Sequence, residues 1–97
     1  MKPVTVVAQV VARPEAVAAL KSELIKLLAP TRSEQGCLEY RLHQDHADPA
    51  LFLFYENWAT MDCLKQHQAS AHFKAYLEAT EGLIASKVVQ LMTEQDA

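Results

Sequence analysis

Glycine is nearly missing from this chain: its 97 residues hold only Gly36 and Gly82. That excludes the glycine-rich dinucleotide loop and the Walker-type phosphate loop, since each needs at least two glycines within a few residues to bring backbone N–H groups onto phosphate, and these two lie far apart. Cysteine is as scarce. Cys37 and Cys63 form no CxxC pair and no framework of four or six, so both read as buried free thiols. Positive charge is in short supply too. Nine Lys+Arg against 12 Asp+Glu leave a net charge of −3, without the basic stripe that nucleic-acid binding demands. No apolar run approaches the roughly 18 residues of a membrane span. The start, Met1-Lys2-Pro3, runs straight into a strand-like segment and lacks a signal peptide's apolar stretch. The expectation is a small soluble cytoplasmic protein with neither a nucleic-acid nor a membrane partner.

Apolar side chains, by contrast, are abundant at 51% of the residues. A chain this short forms one domain, here residues 1–97, and buries only about two-thirds of the surface it exposes when unfolded. So large an apolar fraction in so small a body points to a partner surface that covers part of it.

The order of elements follows from periodicity. Val4 to Val11 is β-branched and unbroken, hence a strand. Pro14 and Glu15 suit a first helical turn. From Ala16, Val17, Leu20, Leu24, Leu27 and Leu28 recur at helical spacing, until Pro30 kinks or ends the helix. Thr31 to Gln35 can add a turn closed by Gly36. Cys37 to His46 alternates, with Leu38, Tyr40 and Leu42 on one face. Asp48-Pro49 marks a turn, and Leu51 to Trp58 returns as the second strand of a hairpin. Thr60 can cap a helix from Met61 that carries Leu64, His67 and Ala71 on one side. Ser70 can open a further helical turn leading into Phe73, Tyr76, Leu77 and Thr80, which Gly82 ends. Lys87 to Met92 is the last strand, and residues 93–97 are a polar tail.

The pattern is β-α-β-β-α-β, an α+β ferredoxin-like unit whose two helical layers cover one face of a four-stranded antiparallel sheet. The other face also wants burial. Val7 and Val11 lie opposite Val4, Val6, Ala8 and Val10, and Leu51 and Leu53 lie opposite Phe52 and Phe54. Two helices supply one cover, so a second sheet from an identical chain is expected: a homodimer with sheets facing and helices outside.

Few residues combine polar chemistry with apolar surroundings. His67 lies in the apolar stripe of its helix. It is either a core histidine bonded to a backbone carbonyl or a general base in a pocket, for which a pKa near 6.5 suits proton removal at neutral pH. In Tyr55-Glu56-Asn57-Trp58, residues 55 and 57 face one way and 56 and 58 the other. Glu56 in a buried strand must find a cation, with Arg32 and Arg41 as candidates. Trp58 is a core residue whose indole N–H can also fix a polar substrate atom, and Asn57 can hydrogen-bond a carbonyl or phenol. Metal readings are weak. His43 and His46 tend to opposite faces of a strand, and His67 and His72 stand roughly 140° apart on a continuous helix.

Three motifs in order, Thr31-Arg32-x-Glu34-x-Gly36-Cys37-x-x-Tyr40, Phe54-Tyr55-Glu56-x-Trp58 and His67-x-x-Ser70-x-His72-Phe73, resemble the antibiotic biosynthesis monooxygenase (ABM) domain family, in its quinol monooxygenase branch. The resemblance spans nearly the whole chain and implies a ferredoxin-like subunit that dimerises into an α+β barrel. It further implies oxidation of quinol, phenolic or polycyclic aromatic substrates by O₂ without flavin, haem or metal, so no cofactor is expected. His67 would be the base. Trp58 and Asn57 would be the hydrogen-bond donors, and Phe54, Tyr55, His72, Phe73 and Tyr76 the substrate contacts. A non-catalytic module that binds quinones or small aromatic metabolites is the alternative. Haem-degrading members use an asparagine on the first strand, where this chain has Gln9 and no asparagine.

Overall fold

The computed structural model describes residues 2–96; Met1 and Ala97, the last residue of the expected tail, lie outside the described residues. Nine elements follow one another: β1 (Val4–Ala12), a 3-10 turn (Pro14–Ala16), α1 (Val17–Lys26), α2 (Leu28–Arg32), β2 (Cys37–Gln44), β3 (Leu51–Trp58), α3 (Met61–Gln68), α4 (Ala71–Ala79) and β4 (Ile84–Met92). The four strands form one antiparallel sheet in the order β2-β3-β1-β4. This is the expected ferredoxin-like α+β fold. No helix among the described residues is long and apolar enough to cross a membrane.

Three boundaries differ from expectation, each for a local reason. The first helix breaks at Leu27, ahead of Pro30, and Pro30 sits inside α2. A proline ring clashes with the carbonyl four residues back, which here belongs to Lys26, so the break precedes the proline. The last strand starts at Ile84 rather than Lys87 because β1 continues to Ala12, which pairs with Ile84 across a bulge. Leu38 does not share a face with Tyr40 and Leu42. The β2–β3 register slips between Cys37, opposite Trp58, and Glu39, opposite Asn57. Leu38 is the extra residue of that bulge and is 55% exposed.

The core lies between the sheet and the helices. Val6, Ala8 and Val10 of β1 and Phe52, Phe54 and Trp58 of β3 meet Leu20 and Leu24 of α1, Leu64 of α3 and Tyr76 of α4. Each fully buried large side chain contributes about 1.5–3 kcal/mol by its removal from water. Two caps shape the turns beneath: Thr60 Oγ1 accepts from Cys63 N at 3.2 Å, and Ser70 Oγ accepts from Phe73 N at 3.3 Å. Gly36 cannot be replaced by a larger residue without a clash. Its φ is +81°, and a Cβ there would overlap Cys63 Sγ and stand 2.8 Å from Cys63 Cβ. Its carbonyl takes Ala59 N–H at 2.8 Å, which ties the start of β2 to the approach to α3. The opposite sheet face carries Val7, Val11, Leu51, Leu53, Tyr55 and Val88, partly or fully exposed, as the two-sided apolar pattern requires.

Candidate functional site

His67 is 2% exposed and ringed by aromatic side chains. Its centroid lies 4.8 Å from that of Trp58, 4.9 Å from Phe73 and 5.6 Å from Tyr40. The partner of its Nδ1 is a carboxylate rather than a backbone carbonyl: Glu34 Oε2, at 2.6 Å. Glu34 belongs to the turn after α2, where Glu34 N bonds Thr31 O at 3.0 Å and the chain then reverses at Gly36. The same oxygen meets His72 Nε2 at 2.8 Å. His67 and His72 converge because α3 ends at Gln68 and α4 starts at Ala71, so the angular offset of a continuous helix does not apply. Glu34, His67 and His72 form the one set among the described residues with ligand atoms close enough for a metal ion. As arranged, they are a hydrogen-bonded triad, one carboxylate oxygen receiving both imidazole N–H groups.

The electrostatics select a tautomer. Burial lowers the pKa of His67 from its ordinary 6.5, and His72 adds to this, while the hydrogen bond and charge of Glu34 oppose it. The ring is therefore neutral at neutral pH, with Nδ1–H donated to Glu34 and the Nε2 lone pair left over. Nε2 makes no hydrogen bond among the described residues and is not among their fully buried, unpartnered polar atoms.

His67 lines a cavity of about 80 Å³ between sheet and helices. Val6, Ala8 and Val10 form its floor, and Tyr40, Phe54, Phe73 and Tyr76 stand around it. Its polar groups are few: Glu56, Gln68 and, at an exposed rim on β4, Lys87. Glu56 is 5% exposed and has no cationic partner. The expected salt bridge is absent because both candidate cations are engaged elsewhere. Arg32 Nε donates to Tyr40 O at 3.0 Å, and Arg41 Nε to Glu39 Oε2 at 3.1 Å. Glu56 Oε1 instead accepts from Trp58 Nε1 at 2.9 Å. Burial pushes the Glu56 carboxyl up to about 7, Glu34 adds to the rise, and the indole hydrogen bond restrains it. Burial likewise raises the Tyr40 and Tyr76 phenols.

The expected site residues divide between the two sheet faces. His67, Phe54, Phe73 and Tyr76 meet at the cavity, and His72 supports His67 from behind through Glu34. Trp58 stacks on His67, but its N–H is committed to Glu56 and is not free for a substrate. Asn57 and Tyr55 face away, by the period-two alternation of β3. Asn57 Oδ1 accepts from Thr5 Oγ1 at 2.5 Å, and its Nδ2 donates to Glu39 Oε1 at 2.9 Å. The strand therefore does not bring Asn57 or Tyr55 to His67. Glu34 is a polar group of the site to which the sequence assigns no role, and Glu56 is expected there only as a salt-bridge partner. Both stand inside the motifs quoted above, which for Glu34 is the only signal.

Comparison with known proteins gives a consistent result. A family model described as "Antibiotic biosynthesis monooxygenase" matches residues 3–79. The chain is 35% identical over 74 residues to "Putative monooxygenase Rv0793" of Mycobacterium tuberculosis, across 76% of this chain and 72% of that protein. It is 26% identical over 82 residues to "Putative monooxygenase YcnE" of Bacillus subtilis, across 84% and 86% of the two chains. Among solved structures, PA3566 from Pseudomonas aeruginosa superposes with a TM-score of 0.96 at 35% identity, covering 99% of this chain and 97% of that one.

Proposed function

The chain belongs to the antibiotic biosynthesis monooxygenase family, and we propose that it oxidises a quinol or related phenolic or polycyclic aromatic substrate with O₂, using no cofactor and His67 as general base. One observation carries this reading. A neutral imidazole is held through Nδ1 by Glu34 and left with a free Nε2 beside an aromatic-walled cavity.

The chemistry asks little of the protein. Deprotonation makes a hydroquinone electron-rich enough to reduce O₂ itself. In the net reaction one oxygen atom enters the ring and the other leaves as water, and all four electrons come from the substrate. A phenol of pKa about 10 facing an imidazole of pKa below 6.5 makes proton transfer uphill by about 5 kcal/mol or more in water. Glu34 reduces that cost, because its carboxylate stabilises the imidazolium that forms. The apolar walls confine the substrate and strengthen the remaining polar interactions.

The working unit we propose is a homodimer. Its interface is the helix-free sheet face that carries Val7, Leu53, Tyr55 and Val88. A ferredoxin-like sheet with one uncovered apolar face is completed most simply by a second copy in two-fold symmetry.

The decisive experiment compares O₂ uptake by wild type and His67→Ala on quinols prepared without air. Wild type should exceed spontaneous autoxidation, and His67→Ala should not, with its far-UV spectrum unchanged. Equal rates would remove His67 from the mechanism. Saturable quinone binding without O₂ consumption would favour a non-catalytic binding module.

A further inference from the structure

Glu56 lies deeper than any other carboxylate described and is the one without a stated use. One oxygen, Oε1, takes the indole N–H of Trp58. The other, Oε2, has no partner among the described residues. It is not a sealed orphan either: among the described residues, the one fully buried side-chain polar atom without a partner is Thr31 Oγ1. Glu56 lines the cavity together with His67. Oε2 therefore borders the space a ligand would occupy.

The groups around Glu56 give it no cation at close range. Tyr40 of β2 and Val6 of β1 are its neighbours across the sheet. Neutral His67 from α3, the Tyr76 phenol from α4 and Lys87 from the β4 rim share its cavity. The Glu34 carboxylate acts on it from the α2–β2 side, with His72 behind Glu34, and Glu56 in turn raises the Cys37 thiol. A neutral carboxyl suits these surroundings: its carbonyl oxygen accepts from Trp58 and its hydroxyl points a proton at the cavity.

We propose that Glu56 is a ligand-binding residue which, as the neutral acid, donates a hydrogen bond from Oε2 to an acceptor oxygen on the bound ring, and so selects quinone- or aryl-ketone-type oxygens. The ring class rests on the quinol reading above; the donor role rests on the geometry of Glu56. The two cavity groups then have complementary duties. His67 offers a lone pair to a substrate hydroxyl, and Glu56 offers a proton to a substrate oxygen. The acid is half neutral near pH 7, where burial has moved its titration.

Trp58 is the only tryptophan and touches both groups, so its fluorescence reports binding directly. The probe is tetramethyl-1,4-benzoquinone, whose fully substituted ring spares the thiols of Cys37 and Cys63. The wild-type Kd should rise roughly tenfold between about pH 6 and about pH 8, as the acid ionises. Glu56→Gln keeps a donor and an acceptor, and should bind equally at both pH values. Glu56→Leu, checked for fold by circular dichroism, should bind roughly tenfold more weakly than wild type at pH 6. His67→Gln should keep the wild-type pH dependence. A pH-independent wild-type Kd, wild-type affinity in folded Glu56→Leu, or loss of the pH dependence in His67→Gln each overturns the role of Glu56. No quinone binding by wild type at either pH overturns that role and the quinol reading together, whereas binding that ignores pH removes Glu56 alone.

Discussion

The two faces of β3 carry side chains of similar chemistry and treat them in opposite ways. On the helix side, Phe54, Glu56 and Trp58 are buried, and the acid finds no cation. On the other side, Leu53, Tyr55 and Asn57 are partly exposed, and polar groups are matched in series: Thr5 to Asn57, Asn57 to Glu39, Arg41 to Glu39. The matched face has its polar groups paired with one another, whereas the buried face leaves Glu56 Oε2 and His67 Nε2 without partners among the described residues. Thr5, Asn57, Glu39 and Arg41 satisfy one another there, so none of the four depends on a ligand for a partner. Where α3 and α4 exclude water, burial is the largest cause moving Glu56 up and His67 down, so each favours its uncharged form. The shifted titrations here follow the helices rather than the density of polar residues.

Four measurements test that contrast, in falling order of effect. His67→Ala should cut the O₂-uptake rate by roughly 10²–10⁴-fold, while Asn57→Ala on the matched face should stay within about twofold of wild type. Comparable losses in both would erase the distinction between the faces. The second measurement concerns pH and stability. Glu56 titrates higher when folded than when unfolded, so its stabilising effect is complete below about 4.5 and is lost as pH rises through about 7. By then the loss amounts to about 3 kcal/mol. Urea unfolding at about pH 5 and pH 8 should show the slope in wild type and its removal in Glu56→Gln. His67 acts with the opposite sign. Its lowered pKa means that stability present above 6.5 is lost as pH falls below it, and kcat/KM should fall on the same acidic side. Third, Tyr55→Arg should weaken self-association by at least about tenfold in sedimentation, since it places like charges across a two-fold interface. An unchanged sedimentation profile would move the interface elsewhere. Last, Asn57→Ala should lose about 1 kcal/mol of unfolding free energy with its two hydrogen bonds.

Most of the fold was legible because its signals are local. The β-branched run of β1, the Asp48-Pro49 turn, and the Thr60 and Ser70 caps each act within a few residues. What escaped depends on distant parts of the chain. The bulge at Leu38 has no residue signature, and it reverses the facing of the residues before Glu39. Alternation separated residues 55 and 57 from 56 and 58 without saying which pair met the helices, because both sheet faces are apolar. The partner of Glu56 was misjudged, since counting cations does not show that Arg32 is held by Tyr40 O and Arg41 by Glu39. The meeting of Glu34 with His67 and His72 spans 33 and 38 residues and depends on a helix break. Helical periodicity, applied across that break, set the two histidines apart.

The exposed strand β4 has a consequence in kinetic terms. It is bonded to β1 alone, its side chains are exposed on both faces except at Ile84, and it carries the Lys87–Val89 rim of the cavity. An element held by one ladder opens at a lower free energy than β1 or β3, which are paired on both edges. In a single subunit, its amides should exchange with deuterium ahead of those in the central strands. That exchange reads directly on Lys87 and Val89, the part of the cavity lining that β4 supplies.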